Sequence, residues 1–210
     1  VSRIAILDYG MGNLRSVEKA LERVGAEPTL TSDAAEARSA DGIVLPGVGA
    51  FPKAMERIRE LGLDELIAER IDAGVPILGI CLGFQLLFER SSELGGGAGL
   101  GALAGSVEPL RAGELKVPHI GWSPARWHKV SRLTAGLADD EPFYFVHSFA
   151  PAPAEPDDVL ATATHGEPFV AAIDRDPVFG VQFHPEKSST AGLRLLANFT
   201  GVCAAVTAAA

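Results

Sequence analysis

Short apolar runs alternate with amphipathic segments through the first half of the chain. Ile4-Ala5-Ile6-Leu7 reads as a buried strand, and Leu14 to Arg23 as a helix with Asn13 as its N-cap and Gly25 just past its end. Glu27 to Leu30 predicts a second strand, and Asp33 with Glu36 three residues on opens a short helix. Gly42-Ile43-Val44-Leu45 is a further strand, ended by Pro46-Gly47. Helical spacing follows over Pro52 to Glu60 and Leu63 to Ala73, interrupted at Gly62. Val75 to Ile80 is the next strand and Phe84 to Glu89 the next helix. Strands separated by amphipathic helices imply βαβ units and a mostly parallel sheet. In such sheets function gathers beyond the carboxyl ends of the strands. Three segments qualify: Asp8 to Asn13, Pro46 to Phe51, and the turn at Cys81.

The second half changes character. Ser106 to Leu110, Lys116 to His119, Trp122 to Trp127, Phe143 to Phe149, Val159 to Thr164, Phe169 to Asp174 and Val178 to Phe183 are short and strand-like. A helix returns only over Thr190 to Phe199. This pattern predicts antiparallel strands and hairpins added to the same sheet rather than a second domain. Gly95 to Gly101 and the Ala/Pro/Asp-rich 150–158 read as connections. The expected boundaries are one domain over 1–201 and an Ala-rich tail, 202–210, that frays.

Composition narrows the class. At 210 residues and 47% hydrophobic, the chain can bury one substantial core. The formal charge of −9, without a basic cluster, argues against nucleic acid as a partner. The longest nearly unbroken apolar stretch, Val75 to Phe88, is shorter than the roughly 18–20 residues of a bilayer span, so no membrane is expected. Val1-Ser2-Arg3-Ile4 enters a strand at once, which predicts no signal peptide. Cys81 and Cys203 sit in unlike contexts, so a reducing, cytoplasmic setting without a disulfide is expected.

Candidate chemistry centres on Cys81. Gly79-Ile80-Cys81-Leu82-Gly83 after a strand resembles the nucleophile elbow known with serine. There a sharp turn lifts the nucleophile above the sheet, and the following helix N-terminus favours a thiolate. The pentapeptide alone fits equally well a buried cysteine packed as a small hydrophobe. Phe183-His184-Pro185-Glu186 lies about a hundred residues on. It offers a base at a strand end and a carboxylate that can fix its tautomer. Taken singly, His184 reads as a structural histidine and Glu186 as a surface charge; together with the elbow they read as nucleophile, base and orienter. In Pro46-Gly47-Val48-Gly49, glycines let a peptide N–H turn into a pocket, so the amides of Val48 and Leu82 are candidates for an oxyanion hole. A plain turn fits the same residues. A phosphate cradle does not, because no Gly-Lys-Ser/Thr follows. His119, His128, His147 and His165 show no metal-ligand spacing, so no metal or cofactor is expected.

These motifs together are similar to those of the class I, triad-type glutamine amidotransferases. The generic ones are Pro46-Gly47-Val48-Gly49, Gly79 to Gly83 with Gln85, and His184-Pro185-Glu186. Asp8 to Ser16, Pro118-His119-Ile120-Gly121-Trp122, Tyr144-Phe145-Val146-His147-Ser148 and Glu186-Lys187-Ser188-Ser189 resemble the glutaminase subunits of imidazole glycerol phosphate synthase, and the resemblance covers nearly the whole chain. It implies a single-domain α/β, flavodoxin-like fold with a mixed, mostly parallel central sheet flanked by helices and extra antiparallel strands in the second half.

The resemblance also implies roles. Cys81 would form a γ-glutamyl thioester from L-glutamine, His184 would move the protons and Glu186 would orient it. Gly47, Gly49, Gln85, Glu93, Tyr144, His147 and Ser148 would surround the substrate. Ammonia is protonated and lost in water, so the implied partner is a (β/α)8-barrel cyclase subunit in a heterodimer. Asn13, Arg15, His119, Trp122 and Lys187 would face that subunit, with Trp122 also readable as a core residue. Ser123 departs from the asparagine that commonly follows the Gly-Trp pair, which bears on interface detail. Competing readings are a glutaminase feeding another synthase, a silent adaptor with the same fold, and a cysteine peptidase or γ-glutamyl hydrolase.

Overall fold

The architecture is taken from a computed structural model that describes residues 1–209; Ala210, the last residue of the expected tail, lies outside the described residues. Strands β1 (Arg3–Leu7), β2 (Glu27–Thr31), β3 (Gly42–Gly47) and β4 (Ile77–Cys81) alternate with helices α1 (Leu14–Arg23), α2 (Ala34–Arg38), α3 (Phe51–Glu60) and α4 (Leu63–Asp72). The elements obey their local chemistry. The Asp33 carboxylate accepts the Ala35 N–H at 2.7 Å and starts α2. Pro52 occupies the first turn of α3, where its missing N–H costs nothing. Asn13 precedes α1 as expected, but its side chain makes no capping bond.

After β4 come α5 (Leu82–Leu86), β5 (Phe88–Ser91), β6 (Gly97–Ala98), β7 (Leu103–Pro109), β8 (His119–Trp127), β9 (Glu141–His147), β10 (Phe149–Pro153), β11 (Val159–His165), β12 (Glu167–Arg175), β13 (Val178–Val181) and α6 (Ser189–Ala209). Nine strands form one sheet in the order β2-β1-β3-β4-β13-β12-β11-β8-β9. The pairings from β2 through β13 are parallel, and those from β13 through β9 antiparallel. The single-domain, mixed α/β fold expected from the sequence is therefore present.

Several local expectations change. The strands expected over Lys116 to His119 and Trp122 to Trp127 are one strand, β8, which begins at His119 and runs unbroken through Gly121. The segment expected to be helical to Glu89 leaves its helix at Leu86 and becomes β5. β5, β6, β7 and β10 form a second, four-stranded sheet rather than an extension of the first, because the chain crosses from β9 to β10 at Ser148 and pairs with β7. The expected fraying point after residue 201 falls inside α6, which continues to Ala209. Val202 and Cys203 are buried, so an apolar stripe holds this part of the helix on the core. Among the described residues no helix is long and apolar enough to cross a membrane.

What positions the site is the close approach of α5 to the sheet. A Cβ on Gly83 would stand 1.7 Å from the Leu45 carbonyl oxygen, and one on Gly79 would stand 2.7 Å from the Phe84 Cα. Both obstacles are backbone, so neither can rotate away. We expect Gly83→Ala to destabilise the fold by about 3 kcal/mol or more, since overpacking against fixed atoms costs at the upper end of its usual range. Urea unfolding measures this; a near-parental midpoint would mean that β3 and α5 can part freely.

Candidate active site

Cys81 ends β4 and begins the turn into α5. Its backbone is at φ 55° and ψ −111°, a conformation that a residue with a Cβ rarely adopts. Such strain persists only where the surroundings over-determine it, and here the Gly79 and Gly83 contacts do so. The thiol sulfur lies 3.8 Å from the Val146 carbonyl oxygen and 3.7 Å from the Gln182 side-chain nitrogen.

β13 ends at Val181 and runs through Gln182 and Phe183 to His184, which precedes a single 3-10 turn over Pro185–Lys187. That turn brings Glu186 back, and its Oε1 lies 2.8 Å from His184 Nδ1. The side chains are 2% and 1% exposed, so this pair is shielded from water. A carboxylate at Nδ1 fixes the proton there and leaves Nε2 as the working nitrogen. His184 Nε2 and Glu186 Oε2 are buried without a formed hydrogen bond. Buried polar atoms are seldom left without a neighbour, and besides Glu186 the group that acts on this ring is the Cys81 sulfur.

The backbone holding His184 is clamped. Its N–H donates to the Tyr144 carbonyl at 2.9 Å. The Ser188 hydroxyl donates to the His184 carbonyl at 2.6 Å and accepts the Tyr144 N–H at 3.0 Å. Phe183 stacks on Phe143 with ring centroids 4.0 Å apart. Burial is the largest influence on His184 and disfavours its charge. The neighbouring Cys81 sulfur and Glu186 carboxylate together outweigh it and raise the pKa to about 9.

A cleft of about 260 Å³ opens beside Cys81. Val48, Gly49, Leu82, Gln85, Glu93, His147 and Ser148, all expected at the site, line it. Pro118, Val146 and Phe149 line it too, and nothing in their residue types signalled that. Gly47 pairs with Cys81 across β3 and β4, which sets the Val48 peptide next to the turn at Cys81. Glu93 Oε2 accepts the Phe51 N–H at 2.8 Å, tying its carboxylate to the start of α3.

A model of the family "Glutamine amidotransferase class-I" matches residues 5–202. The chain belongs to the class-I glutamine amidotransferase family. Among its relatives, the imidazole glycerol phosphate synthase subunit HisH of Moorella thermoacetica is 50% identical over 196 residues, 93% of each chain. The protein of the same name from Aquifex aeolicus is 50% identical over 198 residues, 94% of this chain and 95% of that one. Among solved structures, PurLQS from Thermotoga maritima aligns with a TM-score of 0.74 at 20% identity, covering 96% of this chain and 98% of that one. That last likeness speaks for the amidotransferase fold alone.

Within this amidotransferase several expected positions move. Gly47 is buried beneath the cleft instead of lining it: a Cβ there would meet the Tyr9 hydroxyl at 2.2 Å. The Tyr9 hydroxyl, fully enclosed, donates to the Pro46 carbonyl at 2.7 Å and props that strand. Burial first, and then Cys81, push the Tyr9 pKa far up, so it stays a neutral donor. Tyr9 was missed as a site residue, although Gly47 at a strand end hints that something fills the space below.

Tyr144 does not line the cleft either. Its ring meets Trp122 edge-on at 5.9 Å and lies 5.9 Å from Lys187 Nζ. His119, expected on the partner face, is 4% exposed. It stacks on His165 with centroids 4.3 Å apart, and its Nδ1 lies 3.2 Å from His147 Nε2. The reason is strand alternation. β8 is continuous through Gly121, so residues 119 and 122 point to opposite faces. Trp122 is therefore exposed, at 54%, with Ile120 beside it on the same face at 61%. Lys187 and Arg15 are exposed and Asn13 half-buried.

His119 and His147 are neutral. Burial, followed by the nearby His165, lowers His119 to about 4. Burial also lowers His147 to about 3, against the bond to the Phe149 carbonyl, which opposes the shift. Ser123 Oγ lies 3.0 Å from His119 Nε2, so the hydroxyl takes a half-buried hydrogen-bonding role on the inner face of β8.

Because His184 is raised above its ordinary 6.5, the charged ring stabilises the fold fully below about pH 6.5. That contribution disappears as pH rises through about 9. In Cys81→Ala the sulfur's share is gone. We expect the His184 midpoint, followed by nitrogen NMR, to fall well below 9, and the loss of thermal stability between pH 6.5 and 9 to shrink. An unchanged midpoint would mean that Glu186 alone sets the shift.

Proposed function

We propose that this amidotransferase is the glutaminase subunit of imidazole glycerol phosphate synthase. It hydrolyses L-glutamine to glutamate and ammonia and passes the ammonia to a (β/α)8-barrel cyclase subunit, with which it forms a heterodimer in the cytoplasm. That subunit makes imidazole glycerol phosphate and an aminoimidazole carboxamide ribotide in histidine biosynthesis. The observation that carries the glutaminase reading is the buried His184, its Nδ1 held by Glu186 and its ring beside the Cys81 sulfur. Near-full-length relatives at 50% identity carry the choice of synthase.

The geometry supports the following sequence of steps. The Cys81 sulfur attacks the carboxamide carbon of glutamine, and the carbonyl oxygen takes the negative charge. The Val48 and Leu82 amides receive that oxygen, since donors fixed where charge develops are worth more in a shielded site than in water. As the sulfur attacks, His184 takes the Cys81 proton at Nε2, and the imidazolium so formed, favoured by the raised pKa, gives that proton to the departing ammonia. A γ-glutamyl thioester remains on Cys81. Neutral His184 then takes a proton from water, whose oxygen attacks the thioester carbon; the C–S bond breaks and glutamate leaves. Glu186 keeps the ring in register and balances its charge. Glu93, a carboxylate at the cleft wall, suits the α-ammonium of the substrate.

Exposed Trp122, Ile120 and Lys187 cluster around half-buried Tyr144, with Asn13 and Arg15 as further candidates for the cyclase contact. Aromatic anchors carry a large share of binding energy at such surfaces.

Two tests follow. Cys81→Ala is expected to abolish glutamine-dependent synthesis by the complex and leave ammonia-dependent synthesis near the parental rate, measured by product formation with each nitrogen source. If added ammonia cannot bypass the substitution, the division of labour is wrong. Trp122→Ala is expected to weaken assembly by about 2 kcal/mol or more, some thirtyfold in Kd, with little change in the unfolding midpoint of the isolated chain. Normal assembly together with a large stability loss would make Trp122 a structural residue.

A further inference from the structure

Gln182 plays no part in the steps above. It is fully buried, two residues before His184, and its side-chain nitrogen lies 3.7 Å from the Cys81 sulfur. Apolar residues surround this stretch of β13, where Val181 and Phe183 are also fully buried. An amide sealed into such a place has to satisfy its polar atoms locally.

The direction of the Gln182 amide is fixed by its neighbours. The Gln85 side-chain nitrogen donates to Gln182 Oε1 at 3.0 Å and to the Phe149 carbonyl at 3.0 Å. The Phe149 carbonyl is an acceptor only, so Gln85 has to present its NH2 group there. The second hydrogen of that group then meets Gln182, which has to answer with oxygen. Flipping the Gln182 amide would set two donors against each other. Its NH2 group therefore turns to the sulfur. The other lone pair of the Phe149 carbonyl accepts from His147 Nδ1 at 2.8 Å.

We propose that Gln182 is a further catalytic residue, its amide donating to the Cys81 sulfur and stabilising the thiolate that attacks the substrate, and that Gln85 is the positioning residue that aims it. A thiol gains little from such a donor, whereas a thiolate gains the larger energy of a charge-assisted bond. The Val146 carbonyl, on another side of the sulfur at 3.8 Å, can only accept, so it serves the thiol form. Gln182 supplies the matching donor. Ionisation of Cys81 then needs no movement of the protein, only the proton's transfer to His184 Nε2. The pair titrates together, so Gln182 acts on the pair's apparent midpoint.

The inference rests on Cys81 being the nucleophile, so its test reads the sulfur directly and needs no glutamine. The full chain is treated with iodoacetamide across a pH series, and alkylation at Cys81 is followed by peptide mass spectrometry. Cys203 is resolved from it as a separate peptide and is fully buried, with its pKa raised by burial to about 12. In Gln182→Met, which keeps the bulk and removes the donor, the midpoint is expected to rise by about one pH unit, slowing alkylation at neutral pH about tenfold. Gln182→Glu keeps an acceptor for Gln85 and sets a carboxylate by the sulfur, so it is expected to slow alkylation further. It also serves as the readout if the methionine variant does not fold. Coincident profiles in a folded variant would overturn the inference and leave Gln182 a packing residue. A parental Cys81 that resists alkylation throughout would instead overturn the nucleophile reading, and the inference with it.

Discussion

Everything at the site depends on how closely the turn after β4 lies against β3. With glycine at 83 the α5 backbone passes so close to β3 that a Cβ there would run into the Leu45 carbonyl, and glycine at 79 lets Phe84 sit directly on the strand. The same closeness forces Cys81 to φ 55°. Strained backbone of this kind aims a side chain with little freedom left to lose. The strand register then carries the Gly47–Val48 peptide to the side of the sulfur, and the β4–β13 pairing carries Gln182 and His184 to its other sides. A looser turn would leave each of these groups in the chain and none of them in reach.

Charge at the site is handled by opposed environments. His184 is buried, yet a carboxylate and a sulfur hold its proton; His119 and His147 are buried without an anion and lose theirs. The same residue type is thus an acid in one place and a neutral hydrogen-bonding spacer in another, a few ångströms of packing apart. The Phe149 carbonyl links the two regions. It accepts from His147 on one side and from Gln85 on the other, so one backbone oxygen fixes a tautomer and an amide orientation together.

The outer face of β8 and β9 has a different character. Ile120 and Trp122 stand in solvent on a strand whose inner face is packed with His119 and Ala125. Exposed large apolar groups beside a cation–aromatic pair of Lys187 and Tyr144 are costly to leave wet and well suited to being covered. The turn that holds His184 ends at Lys187, and Ser188 ties it to Tyr144. The exposed group and His184 therefore share one short piece of backbone.

Much of this was legible in the sequence because it is local. Strand and helix positions in the first half follow from apolar spacing, and glycines around Cys81, with His184 and Glu186 two apart, are chemistry written within a few residues. The second sheet was not legible, since β9 and β10 form one apolar run, Phe143 to Phe149, and only long-range pairing splits it at Ser148. Nor was the burial of His119, because Gly121 reads as a break and the alternation that turns residue 119 inward depends on β8 staying continuous. Gly47 as a floor for Tyr9, Gln182 at the sulfur and the helical course of α6 past Phe199 are equally matters of what packs against what. The sequence by itself singled out Cys81, His184 and Glu186 as one candidate site, because strained turns and paired side chains need particular residue types at short spacing. Tertiary structure decided which buried polar groups meet and which apolar ones stay exposed, because those contacts join residues many tens of positions apart.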